Sequence, residues 1–63
     1  GPKGNAFYLL GLAQKYGKQF GWGVMEINAM LDNLKNGDYK HLVLTFDKYF
    51  GEVVDLNLAG IEL

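Results

Sequence analysis

The chain has 63 residues, no cysteine and a formal net charge of −1 at pH 7. A domain of this size buries only about 60% of the surface of its unfolded chain, so its core is marginally stable and association often supplies further stability. Without cysteine the chain forms neither a disulfide nor a thiolate metal site, and the single histidine, His41, does not complete a zinc centre. All six basic residues are lysine. The lack of arginine, which suits phosphate and base contacts, disfavours nucleic acid as a target.

The first predicted element is a helix over about residues 5–19. Asn5 is a good N-cap residue, and it follows a predicted loop over residues 1–4. Apolar side chains repeat at helical spacing in two adjacent stripes, which are Phe7 with Leu10, and Leu9 with Leu12 and Tyr16. Gly11 and Gly17 lie inside this wide apolar arc, and each is interpreted as permitting a close helix approach or marking where the helix frays. The favoured interpretation of Gly11 is a packing notch.

Two further helices are predicted over about residues 23–35 and 38–50, because apolar residues recur in both at helical spacing. Asn36 and Gly37 are predicted to supply the left-handed residue that ends the second helix. Asp38 is predicted to cap the third helix.

Trp22 lies in the predicted loop between the first two helices, with a glycine on each side. Tryptophan is enriched at interaction hot spots, so an exposed anchor for a partner is one interpretation. The favoured interpretation is a tryptophan folded over a small core.

The last predicted element is a β-strand over about residues 52–58. After Gly51 the apolar period changes from that of a helix to that of a strand. A lone strand leaves its backbone groups unpaired, so we expect it to pair with the same strand of a second copy. The predicted fold is therefore α+β and mostly helical, in a single small domain over residues 1–63. The predicted interface consists of Val53, Val54, Leu56, Leu58 and Ile61.

No set of residues in the sequence predicts catalysis, a cofactor or a metal ion. His41 is interpreted as a surface histidine, because a nucleophile, a base and an orienting group would be needed together. Asp38 precedes it by one helical turn and could share a hydrogen bond with it. The acidic residues are interpreted as caps and solvated helix faces, namely Glu26, Asp32, Asp38, Asp47, Glu52 and Asp55. The chain is therefore predicted not to be an enzyme.

Two patterns leave nucleic-acid binding open as the alternative function. Residues 1–4 have the GxxG form that clamps a nucleic-acid backbone in KH modules, although in those modules a helix and a strand precede the loop. Residues 1–2 are also open to interpretation as the scar of a cleaved tag. The second and third helices could form a helix-turn-helix, whose polar groups for reading bases would be Tyr39, Lys40, His41 and Thr45.

A resemblance to a known group of proteins extends over residues 1 to about 56. It is carried by the segments GPKGNAF at 1–7, NGDY at 36–39 and DKYFG at 47–51. With Leu9, Leu10 and Gly11, they resemble a group of small tailed-bacteriophage proteins for which no activity is established. The resemblance implies a phage-encoded protein with a short β-strand before the Gly-Pro turn, and it assigns no site residues. Residues 58–63 depart from the pattern.

No apolar run in the chain approaches the roughly 20 residues of a membrane span, and the N-terminus lacks a signal-peptide pattern. The predicted location is therefore the cytoplasm of the host cell. Taken with the tail, these features predict a small non-enzymatic binding or regulatory protein that forms a homodimer, with a host or phage protein as a possible further partner.

Overall fold

The computed structural model describes residues 2–54. It contains three helices, α1 Pro2–Gln19, α2 Val24–Lys35 and α3 Tyr39–Phe50, and each packs on the other two. Short connections at residues 20–23 and 36–38 join the three helices. The described part is therefore an all-α three-helix bundle without a strand between residues 2 and 54. None of its helices is both long enough and apolar enough to cross a membrane.

The core is made of apolar side chains that all three helices turn inwards. Its buried members are Leu9 and Ala13 of α1, Ile27, Met30 and Leu34 of α2, and Leu42, Val43, Phe46 and Phe50 of α3. In α1 the buried side chains are Leu9 and Ala13, so neither predicted stripe is buried as a whole. Leu10, Leu12 and Tyr16 are partly buried against the core, and Phe7 is 69% exposed. Each fully buried side chain of the size of leucine or phenylalanine stabilises the fold by about 1.5–3 kcal/mol.

Helix α1 begins at Pro2 and not at Asn5, so the loop predicted over residues 1–4 is wrong from Pro2 onwards. Proline suits the first position of a helix, because its φ is already helical and its missing N–H would have no intrahelical partner there. Asn5 lies within the helix, and its side chain does not cap it.

Helix α1 ends in a Schellman motif that places Trp22 at the end of the bundle. The Trp22 N–H donates to the Gly17 carbonyl at 3.0 Å, and the Gly21 N–H donates to the Lys18 carbonyl at 3.1 Å. Gly21 has a φ of 80°, the one positive φ between residues 2 and 54. The prediction of a left-handed residue at Asn36 or Gly37 is therefore wrong.

The close approach to α1 occurs at Gly17, and the notch predicted at Gly11 is wrong. A Cβ atom on Gly17 would lie 3.0 Å from Cγ1 of Ile27 and 3.3 Å from Cε3 of Trp22. A Cβ atom on Gly11 would meet no atom within 4 Å. Gly17 thus lets the first turns of α2 pack against the end of α1.

Helix α3 begins as predicted, because Asp38 Oδ1 accepts a hydrogen bond from the His41 backbone N–H at 2.9 Å. At its other end the predicted strand is wrong over residues 52–54, where the chain makes a turn. Gly51 keeps right-handed helical angles, and the N–H groups of Val53 and Val54 both donate to the carbonyl of Phe50, at 3.0 and 2.8 Å. Residues 55–58 of that prediction lie outside the described residues.

Candidate functional site

Six aromatic rings gather at the end of the bundle where α1 and α3 finish, which we call the aromatic end. Phe50 is fully buried at its centre. The centroid distances from Phe50 are 5.0 Å to Phe46, 5.8 Å to Trp22, 5.9 Å to Tyr16 and Tyr49, and 6.1 Å to Phe20. Aromatic pairs at such distances contribute about 0.5–1.5 kcal/mol each beyond the area they bury. The aromatic end is thus a rigid platform built from two helices and a loop.

Trp22 packs over the core, as the favoured interpretation predicted. Its ring is stacked on Phe50 at an interplanar angle of 27°. It meets Phe20 and Tyr49 edge-on, with centroid distances of 5.9 and 6.2 Å. The indole is half-buried, so part of it still faces solvent.

Four exposed apolar side chains belong to the aromatic end or lie within three residues of one of its rings in the sequence. We call this set the apolar rim, and it consists of Phe20, Val24, Met25 and Val53, whose exposures are 46%, 74%, 85% and 57%. Exposed apolar groups that lie together mark interaction surfaces more often than isolated ones do. Of the predicted interface, Val53 lies on this rim and Val54 packs against the core. Leu56, Leu58 and Ile61 lie outside the described residues.

A cleft of about 370 Å³ opens between α2 and α3 beside the aromatic end. Its lining consists of Trp22, Glu26, Ala29, Met30, Asn33 and Tyr49. The Asn33 side-chain amide donates to the Tyr49 hydroxyl at 3.3 Å, and Glu26 Oε1 accepts from the Gly23 N–H at 3.5 Å. The sequence interpretation missed this cleft. The one signal available was that Glu26 and Asn33 are two helical turns apart and share a face of α2.

His41 joins α3 to α2 through its ring. Its Nε2 lies 2.8 Å from the Asn33 carbonyl oxygen and 3.4 Å from Thr45 Oγ1. A carbonyl oxygen only accepts, so the shorter contact requires Nε2 to carry a hydrogen and donate it. With this hydrogen bond made, Nε2 has no lone pair for general-base chemistry. The hydrogen bond expected from Asp38 goes to the backbone N–H of His41.

The residues of the helix-turn-helix alternative do not form one exposed face. Thr45 is only 8% exposed, and the Tyr39 hydroxyl oxygen is shielded from solvent. Lys40 is exposed, and His41 is half-buried. The GxxG segment of the other nucleic-acid interpretation is helical from Pro2.

Within residues 2–54, no three histidine, aspartate or glutamate side chains lie close enough together to hold a metal ion. Comparison with protein families, with curated proteins and with solved structures finds no match for this chain.

Proposed function

We propose that this chain is a small non-enzymatic binding module that associates with a second copy through its aromatic end and the tail that follows it. The observation that carries the proposal is the apolar rim, where Phe20, Val24, Met25 and Val53 are 46–85% exposed at one end of a small bundle. Covering such a surface removes apolar area from water, which is favourable at about 25 cal/mol per Å².

The tail is the second part of the proposed interface. In the sequence, residues 55–63 follow Val53 of the apolar rim and Val54, which packs against the core. Their apolar residues Leu56, Leu58 and Ile61 complete the proposed interface with Val53 and Val54. In a symmetric dimer the same patch on each copy covers the other, and paired tails satisfy each other's backbone groups.

The wider role is also a proposal. From the sequence resemblance we propose a phage-encoded regulatory protein in the host cytoplasm. Its further partner would be a host or phage protein. A non-enzymatic role rests on the sequence, in which no nucleophile, base and orienting group occur together.

Analytical ultracentrifugation over a range of micromolar concentrations tests the dimer. We expect twice the mass of one chain, and we expect Val53→Glu and Leu58→Glu to weaken association about tenfold or more, or by at least about 1.4 kcal/mol. Both variants place a charge in the proposed apolar interface.

Phe7→Glu is the matched control, because Phe7 is 69% exposed on α1 and lies outside the proposed interface. It adds the same charge and should leave the dimer unchanged. Circular dichroism verifies that every variant is helical. A wild-type chain that stays monomeric throughout, or a dimer weakened as much by Phe7→Glu as by Val53→Glu, would overturn the proposal.

A further inference from the structure

We propose that the cleft between α2 and α3 binds a positively charged nitrogen group, either an alkylammonium or a guanidinium. The cleft shares Trp22 and Tyr49 with the aromatic end, but none of its lining residues belongs to the apolar rim. The proposal does not depend on the dimer. Its volume of about 370 Å³ falls at the lower end of the range for small-molecule sites, about 300–1,000 Å³. It is therefore the right size for one long basic side chain or a short amine.

The aromatic walls of the cleft favour a cation. Trp22 and Tyr49 stand at 62° to each other with centroids 6.2 Å apart, and both line the cleft. A cation within about 6 Å of an aromatic centroid is attracted by the ring's quadrupole, and tryptophan attracts it most strongly. Trp22 is held in place by its stacking on Phe50. The walls are thus positioned before a ligand arrives.

The polar groups of the cleft are mainly hydrogen-bond acceptors. Glu26 supplies an exposed carboxylate that accepts one bond, of 3.5 Å from Gly23, and so keeps lone pairs for a ligand. Asn33 uses its amide nitrogen to donate to Tyr49, which leaves its side-chain oxygen as an acceptor. A carboxylate, an amide oxygen and two π systems select a group that donates hydrogen bonds and carries positive charge.

The remaining lining determines how a ligand would lie. Ala29 and Met30 supply an apolar floor that suits the methylene stem of a lysine, an arginine or an amine. Lys48 lines an adjoining cleft together with Asn33 and Tyr49. Because this lysine repels a cation at that side, the charged head of the ligand belongs at the Trp22 and Glu26 end.

Two sources could supply such a group, a basic side chain of a protein and a free polyamine. Trp22 is the only tryptophan of the chain, so its fluorescence reports on the cleft directly. The chain is titrated with a short arginine-containing peptide, with the same peptide carrying neutral citrulline, and with spermidine. We expect saturable binding in the millimolar range for a cationic ligand and none for the citrulline peptide. Saturation by the peptide alone identifies a protein side chain as the source, and saturation by spermidine identifies a polyamine.

Three variants separate the site from general charge attraction. Glu26→Gln should weaken cation binding about threefold to fivefold, which is the effect of one solvent-exposed charge pair. Glu52→Gln is the control, because it makes the same change of net charge at an exposed position outside the lining. Tyr49→Leu removes one aromatic wall and should also weaken binding.

The proposal is overturned if no cation gives a saturable change, if the citrulline peptide binds as well as the arginine peptide, or if the two glutamate variants lose the same affinity. The oligomeric mass of Glu26→Gln, measured in parallel, should equal that of the unmodified chain. If the dimer does not form, the cation titration can still be interpreted. If no cation binds, the mass measurement still tests the dimer.

Discussion

At the scale of single residues, Gly37 is a position with too little room for a side chain. A Cβ atom there would lie 2.8 Å from Cγ and 2.9 Å from Cβ of His41, closer than real Cβ atoms approach their neighbours. The His41 ring must therefore move in Gly37→Ala and release the 2.8 Å hydrogen bond to the Asn33 carbonyl. We expect the free energy of unfolding to fall by about 1–2 kcal/mol, measured by urea denaturation.

A double-mutant cycle with His41→Ala provides the control. In that background the contacts with the ring are gone, and the 2.9 Å contact with the Cβ of residue 41 remains. Gly37→Ala should therefore lower the free energy of unfolding by less in the His41→Ala background than in the unmodified chain. If Gly37→Ala destabilises both backgrounds equally, the strain lies in the backbone and the role given to His41 is wrong.

At the scale of elements, α1 contains two glycines that look alike in the sequence and differ in packing. Gly11 is exposed with open space at its Cβ position, so Gly11→Ala should raise the free energy of unfolding by about 0.5–1 kcal/mol. At Gly17 the new methyl group would press on Ile27 at 3.0 Å. Gly17→Ala should therefore be less stable than Gly11→Ala by about 1 kcal/mol or more.

Thermal unfolding followed by circular dichroism compares these two variants under one set of conditions. Both variants make the same substitution in the same helix. The contribution of helix propensity to the free energy of unfolding therefore cancels when the two variants are compared. Equal gains from both variants would mean that α2 does not approach α1 at Gly17.

The bounds of α2 and α3 could be predicted because their signals are local. The apolar spacing and the Asp38 cap place both helices within one residue of where they lie. The core side of α1 could not be predicted in this way, since Phe7 and Leu9 are both apolar and only the packing of the other helices buries Leu9. The strand prediction rested on alternation alone, and that pattern says nothing of the hydrogen bonds from Val53 and Val54 back to Phe50.

For the candidate sites too, local sequence features could be predicted, and features that depend on the packing of the helices could not. A tryptophan between two glycines predicted that Trp22 folds over the core, because both the residue and its loop are local features. The cleft joins Trp22 of a loop, Glu26 of α2 and Tyr49 of α3. Its existence depends on the register of α2 against α3, and side-chain packing across the whole bundle decides that register.

At the scale of the whole molecule, Phe50 joins α1, the α1–α2 connection and α3. It is fully buried and contacts rings from α1, the α1–α2 connection and its own helix. Replacing a buried phenylalanine by alanine costs about 3–5 kcal/mol. At about 0.05–0.15 kcal/mol per residue, a chain of 63 residues has roughly 3–9 kcal/mol of stability in total. We therefore expect Phe50→Ala to be largely unfolded or close to it, as measured by far-ultraviolet circular dichroism.

Phe7→Ala is the comparison for that variant. It removes the same ring from a position that is 69% exposed, so its free energy of unfolding should stay within about 0.5 kcal/mol of the unmodified chain. Similar melting temperatures for the two variants would show that the aromatic end does not hold the bundle together.

The short connections at residues 20–23 and 36–38 also bear on how fast the bundle forms. Closing such loops costs little chain entropy, and bundles of helices that are neighbours in sequence fold in about microseconds to milliseconds. At micromolar concentration and an association rate constant of about 10⁶ M⁻¹s⁻¹, two chains meet on the order of once per second. A molecule that opens therefore regains its core long before it meets another chain, so the aromatic residues of the opened state have little chance to aggregate.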